Sequence, residues 1–242
     1  DGIKVTYTPN ENYNGEDTFT YKVNDGTEDS TTAIVTITVK SINDTPVSKD
    51  ISVSTDEDNS VEVSLDASDL DQDTLTYSIV DDPVNGTVSL DGIKVTYTPN
   101  ENYNGEDTFT YKVNDGTEDS NTATVTVTVN PVNDTPTVQD IAISTDEDTA
   151  LEITLLGSDV DQDDLTYSLV TESSNGIVSL DGIKVTYTPN ENYNGEDTFT
   201  YKVNDGTEDS TTAIVTITVK SINDTPVSKD ISVSTDEDNS VE

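Results

Sequence analysis

The chain has 242 residues and a formal charge of −40, from 50 carboxylates against 10 basic residues, every one of them lysine. A field of that sign repels polyphosphate and anionic lipid, so neither nucleic acid nor direct membrane insertion is expected. With no His and no Cys, the chain lacks disulfides, thiolate and imidazole catalysis, and zinc-type ligation. Its hydrophobic content of 31% is low, as in disordered acidic tails. The apolar residues nevertheless alternate with Thr and Ser, which such tails do not do, and the expectation is a folded β protein with acidic loops.

The joint Asn-Asp-Thr-Pro stands at Asn43, Asn133 and Asn223, at intervals of 90 residues, and such a fixed interval marks a tandem array. Residues Asp1 to Glu62 are identical to Asp181 to Glu242. The expected organisation is the C-terminal part of a repeat over 1–45, complete repeats over 46–135 and 136–225, and the start of another over 226–242. The chain is read as an excerpt of a longer polymer of repeats.

Within the first complete repeat, Ile51 and Val53 alternate with serines and predict a first strand, ending at Thr55-Asp56-Glu57-Asp58. Val61, Val63 and Leu65 predict a second. An acidic loop from Asp66 to Asp73 leads to a third strand with Leu75, Tyr77 and Ile79 inward. Thr87–Leu90 and Ile93–Tyr97 flank Asp91-Gly92, which predicts a hairpin whose two turn residues both have positive φ. Pro99 ends the fifth strand, Phe109, Tyr111 and Val113 line the sixth, and Ala123, Val125, Val127 and Val129 the seventh. Seven short strands without helical periodicity predict a Greek-key β-sandwich of immunoglobulin type. The expected core is Val63, Leu65, Leu75, Tyr77, Ile79, Val95, Phe109, Tyr111, Val113, Val125 and Val127. Tyr103 is either a corner tyrosine bonded back to the chain or a loop aromatic.

Strands running alternately down and up send their loops to opposite poles. Glu57 and Glu101 then share the far pole with the exit of the last strand, while Asp69, Asp71, Asp73 and Asp115 share the near pole with the joint. Between the two complete repeats the converging groups are Glu57, Asn100, Glu101, Asn133, Asp134, Asp159, Asp161, Asp163 and Asp205. The same positions at the neighbouring joints are Glu11, Asn43 and Asp44 on one side, and Glu147, Glu191, Asn223 and Asp224 on the other. Two like charges about 4 Å apart repel by roughly 1 kcal/mol even in water. A hard cation reverses that sign, and calcium, with its six to eight oxygen ligands, suits this donor set better than magnesium. The run Asp69-Leu70-Asp71-Gln72-Asp73 opens like an EF-hand loop, but Thr74 and Val80 stand where such a loop has Gly and Glu.

Several stretches together carry a family resemblance: Ala67-Ser68-Asp69-Leu70-Asp71, Leu75-Thr76-Tyr77-Ser78-Ile79, Tyr111-Lys112-Val113-Asn114-Asp115-Gly116 and Asn133-Asp134-Thr135-Pro136. The unit resembles a cadherin repeat, and more closely the cadherin-like and immunoglobulin-like tandem repeats of large bacterial surface adhesins, of which Asn102 to Tyr111 is typical. The resemblance implies all-β sandwiches, cadherin-like or Ig-like, set end to end as a rod, with calcium between successive domains. It implies ligation by Glu57, Asn133, Asp134, Asp159, Asp161 and Asp205. Ser41 or Pro131 stands where cadherins place another acidic ligand, and Asn100-Glu101-Asn102 replaces an acidic pair, which implies fewer ions per joint.

The function expected first is structural: a calcium-stiffened extracellular stalk or surface-filament segment that spaces an adhesive tip from a cell, with neighbouring repeats as its partners. A calcium-dependent module for polysaccharide or for identical modules is the alternative, with Tyr97 and Tyr103 as sugar-stacking candidates. Lateral pairing with identical chains also stays open, since Ile34 and Ile214 take the outward parity where the first complete repeat has Thr124. An enzyme is not expected, because every acidic cluster repeats with the module and leaves no unique cleft.

Overall fold

Alternation of β-branched and hydroxyl residues gives strands with one apolar face, and such faces must be buried in pairs. The computed structural model describes residues 4–237 and Ser240, and these contain strands and no helix. By contacts the chain divides into two units, Asp1–Val132 and Asn133–Glu242.

The first unit begins with a hairpin, β1 (Gly15–Tyr21) on β2 (Ala33–Val39). The complete repeat follows as β3 (Val47–Ser48), β4 (Ile51–Asp56), β5 (Val61–Ser64), β6 (Ala67–Ser68), β7 (Thr76–Asp81), β8 (Gly86–Asp91), β9 (Lys94–Pro99), β10 (Gly105–Asn114) and β11 (Ala123–Asn130). One sheet has the order β4-β11-β10-β7, with β4 parallel to β11, and the other β5-β9-β8, while β3 pairs with β6. The repeat has nine strands where seven were expected, since the short β3 precedes an interruption ahead of β4, and the short β6, within the expected Asp66–Asp73 loop, follows one after β5. Tyr111 sits at both interruptions: its hydroxyl lies 2.7 Å from the carbonyls of Lys49 and Asp66 and accepts the Asp66 N–H. Burial raises the Tyr111 pKa and keeps the hydroxyl a donor.

The sheets enclose Val63, Leu65, Val95, Tyr97, Phe109, Tyr111, Val113, Ala123, Val125, Val127 and Val129. Leu75, Tyr77 and Ile79 are only half-buried, because β7 is the edge of its sheet. Tyr97, a sugar-stacking candidate under the alternative reading, is fully enclosed, and its hydroxyl donates to the buried Asp107 carboxylate at 2.9 Å. Asp107 also accepts N–H groups from Val84, Asn85 and Thr108, so it staples the β7–β8 loop to β10.

The hairpin turn differs from the expectation. Asp91 pairs with Lys94, so the turn residues are Gly92 and Ile93, and only Gly92 (φ 61°) has positive φ. Glycine first in a two-residue loop is the type II′ arrangement. The register behind it is set by Tyr97, whose ring lies where a Cβ on Gly86 would stand, 2.6 Å away. Only glycine at position 86 lets that ring in.

The second unit repeats the plan: β12 (Thr137–Val138), β13 (Ile141–Asp146), β14 (Leu151–Thr154), β15 (Gly157–Ser158), β16 (Thr166–Thr171), β17 (Gly176–Asp181), β18 (Lys184–Pro189), β19 (Gly195–Asn204) and β20 (Ala213–Lys220). Its sheets are β13-β20-β19-β16, β14-β18-β17 and β12-β15. Tyr201 and Tyr187 take the places of Tyr111 and Tyr97.

Candidate cation site at the near pole of each repeat

In extended chain the carboxylates of Asp69 and Asp73 would stand about 13 Å apart. Gln72 prevents this by adopting φ 62°, and Gln162 does the same at φ 65°. A left-handed non-glycine residue costs on the order of 1–3 kcal/mol. That conformation brings one carboxylate oxygen from each of Asp69, Asp71 and Asp73 to within 4.8 Å of the others, and likewise Asp159, Asp161 and Asp163. The Asp69 N-terminal end of the loop is further tied by its Oδ1 accepting the Asp73 N–H at 3.1 Å.

The joint closes over this loop. In the first unit the Asp44 N–H donates to Asp71 Oδ2 at 2.7 Å, the Asn43 amide to Asp115 Oδ2 at 2.9 Å, and the Thr45 hydroxyl to Glu118 at 2.6 Å. In the second, Asp134 donates to Asp161 at 2.8 Å, Asn133 to Asp205 at 2.9 Å and Thr135 to Glu208 at 2.8 Å. Asp115 Oδ1 additionally accepts the Thr117 and Glu118 N–H groups. The Glu118 backbone N–H first, and then the Asn43 amide, hold the Asp115 carboxyl below the usual range, and Glu208 and Asn133 do so for Asp205. Asp163 goes the other way: loss of solvent, and then the carboxylates of Asp159, Asp161, Asp205 and Asp164, push its pKa up.

Two features fit this pole to a hard cation. Asp69 Oδ2 and Asp159 Oδ2 are buried without a hydrogen-bond partner, at equivalent points of the two repeats. The cluster is also all-oxygen, in a chain with neither His nor Cys. In the first unit a cavity of about 340 Å³ opens beside Asp44 and Asp71, and loop residues Asn10, Asn12, Tyr13 and Asn14 line its other side.

The remaining candidates lie elsewhere. Glu57 is buried at the far pole of its repeat, accepting the Val132 N–H, and its own N–H donates to Asn130. The adjoining loop is tied to it by Asn102 N–H on Asp58, 3.0 Å, but Glu101 itself is exposed. Glu147 is buried in the same way, accepting the Ile222 N–H, with Glu191 exposed. Glu11, Asn223 and Asp224 are exposed. Glu57 and Glu101 belong to the first unit, and Asn133, Asp134, Asp159, Asp161, Asp163 and Asp205 to the second.

Tyr97 is buried, and Tyr103 is half-buried with its hydroxyl on the Glu106 carbonyl, three residues forward in the chain. Sequence reasoning did not single out Thr45 and Glu118, whose only trace is that both recur with the repeat.

Tandem all-β sandwiches with an acidic near pole define a class of immunoglobulin-like repeat. More narrowly, the chain belongs to the bacterial Ig domain family, whose profile matches residues 1–38, 43–128 and 133–218. It is 29% identical over 221 residues to integrin beta-like protein A of Dictyostelium discoideum and 31% identical over 115 residues to integrin beta-like protein B of that organism. Those matches cover 74% and 40% of this chain, and the chain spans only 12% and 6% of the two relatives. Among solved structures it is similar to human mucin-like protocadherin EC1-2, at 18% identity and TM-score 0.48, over 73% of this chain and 98% of that one. Human protocadherin-24 EC1-2 gives 15% and 0.46, over 75% and 100%. An endo-fucoidan hydrolase from glycoside hydrolase family 107 gives 21% and 0.34, over 87% and 34%.

Proposed function

We propose that this chain is a structural segment of an extracellular, calcium-stiffened surface adhesin or filament, in which the repeats act as spacers and not as catalysts. The carrying observation is the tri-aspartate loop, folded at a left-handed glutamine and holding a buried, unpartnered oxygen, at the same place in both complete repeats. Three carboxylates at that spacing repel by roughly 1 kcal/mol per pair in water, and several-fold more where solvent is partly excluded. Asp69, Asp71 and Asp73 in one repeat, and Asp159, Asp161 and Asp163 in the other, would hold the ion, which supplies the charge neutralisation the loop lacks. Near-identical copies support a spacer role, since a specific binding face would diverge from copy to copy. The family membership supports a surface location, and the Dictyostelium relatives support an adhesion context.

Calorimetric titration with calcium, paired with small-angle scattering in calcium and in EGTA, tests the reading. Calcium should bind both loops, raise the melting temperature and stiffen the chain. Asp161→Ala should abolish uptake by the second loop while circular dichroism shows both cores intact. No uptake at millimolar calcium, or scattering unchanged by chelation, would sink it.

A further inference from the structure

The joint residues that look like ligands in the sequence donate hydrogen bonds in the structure. A side-chain amide that donates does not present its oxygen to the same partner, and an N–H on a carboxylate seats the joint whether or not that carboxylate, with its further lone pairs, also holds an ion. Asn133 donates to Asp205, the Asp134 N–H donates to Asp161, and Thr135 donates to Glu208, all within the second unit. On the other side of the linkage, Val132 is held by the buried Glu57, whose own N–H grips Asn130. Each contact has its counterpart one repeat away, at Asn43, Asp44 and Thr45, and at Glu147 with Ile222.

We propose that Glu57 and Glu147, with Asn43 and Asn133, are positioning residues that fasten the ends of each joint to the folded repeat on their own side without any cation. This deepens the calcium reading: the Asp-rich loop holds the ion, and the joint is already seated when it arrives. The chain carries its own control. Asn223-Asp224-Thr225 has the sequence of the other joints, yet all three residues are exposed, and the Asn223 amide reaches only the carbonyl of Asp224.

The test is amide hydrogen exchange on the whole chain in EGTA, so that its outcome does not depend on whether calcium binds. The amides of Val132 and Asp134 should exchange at least about 10-fold more slowly than that of Asp224. Glu57→Ala should release Val132. Glu57→Gln keeps an acceptor oxygen, so it should retain the protection and change calcium affinity by less than about 3-fold, where Asp161→Ala removes a site. The proposal is overturned if Val132 and Asp134 exchange as fast as Asp224 in EGTA and slow only on adding calcium. It is equally overturned if Glu57→Gln weakens calcium binding as much as Asp161→Ala.

Discussion

Residues 1–62 and 181–242 share one sequence and occupy two surroundings. The hairpin keeps its register in both: Phe19 faces Val35 as Phe199 faces Val215. Burial is not kept. Tyr21 is 49% exposed and Val23 63%, whereas Tyr201 and Val203 are fully enclosed. The sixth strand also runs on to Asn204 only where β16 pairs with it. Downstream, Ile51–Asp56 forms a strand along β11, while the identical residues 231–236 form none. Cross-strand pairing in the hairpin is local and is the same in both surroundings, whereas burial depends on what packs against it.

The sharpest way to break that comparison is to make one substitution twice. Phe199→Ala should cost the second unit about 3–5 kcal/mol, the usual range for an enclosed aromatic. Phe19→Ala, at a half-buried ring, should leave the urea midpoint of both complete repeats unchanged. Equal losses at the two positions would mean that the hairpin's surroundings do not matter.

Next in size is the tyrosine that interrupts the strands. Tyr201→Phe strands the carbonyls of Gln139 and Leu156, which its hydroxyl serves at 2.7 and 2.9 Å, and should cost about 1–3 kcal/mol by chemical denaturation. Tyr21→Phe should be silent in the same assay. If Tyr201→Phe is also silent, the hydroxyl is not what divides these strands.

How much of this was legible in the sequence follows the same division. Phe109, Val113, Val125 and Val127 declare themselves by parity, which is local. Parity reports which face a residue is on, not whether its strand is an edge, and Tyr77 and Ile79 are therefore less buried than it implies. The β8–β9 register is set by Tyr97 against Gly86, a steric fit that the Asp-Gly signal cannot convey. The partners of the Tyr111 hydroxyl lie 62 and 45 residues away, beyond any local pattern. At the near pole the spacing of Asp69, Asp71 and Asp73 marked the cluster, but the turn at Gln72 that gathers it has no sequence cue. The donor role of Asn43 could not be read either, because an asparagine among carboxylates suits a ligand equally well.

A smaller contrast is electrostatic. Lys202 pairs closely with Asp209, and the same two residues in the first copy, Lys22 and Asp29, stand 3.9 Å apart at higher exposure. Surface pairs are worth about 0.2–1 kcal/mol, so Lys202→Gln should lower the second unit's stability by at most that, and less in high salt. Lys22→Gln should have no measurable effect.

The finest distinction is in proton affinity. Asp25 and Asp205 occupy the same sequence position, and each has its carboxyl pulled below the usual range by the backbone N–H groups three and two residues ahead. Asp205 alone also accepts the Asn133 amide. Carboxyl titration by NMR should therefore place Asp205 below Asp25, and Asn133→Ala should close the gap. Because the folded pKa of Asp205 is depressed, its contribution to stability is fully present above the unfolded carboxylate pKa and is lost as pH falls through the folded value. The Asn133→Ala chain should accordingly lose less stability on acidification than the parent, and coincident titrations of Asp25 and Asp205 in the parent would show that the joint does not hold this carboxylate.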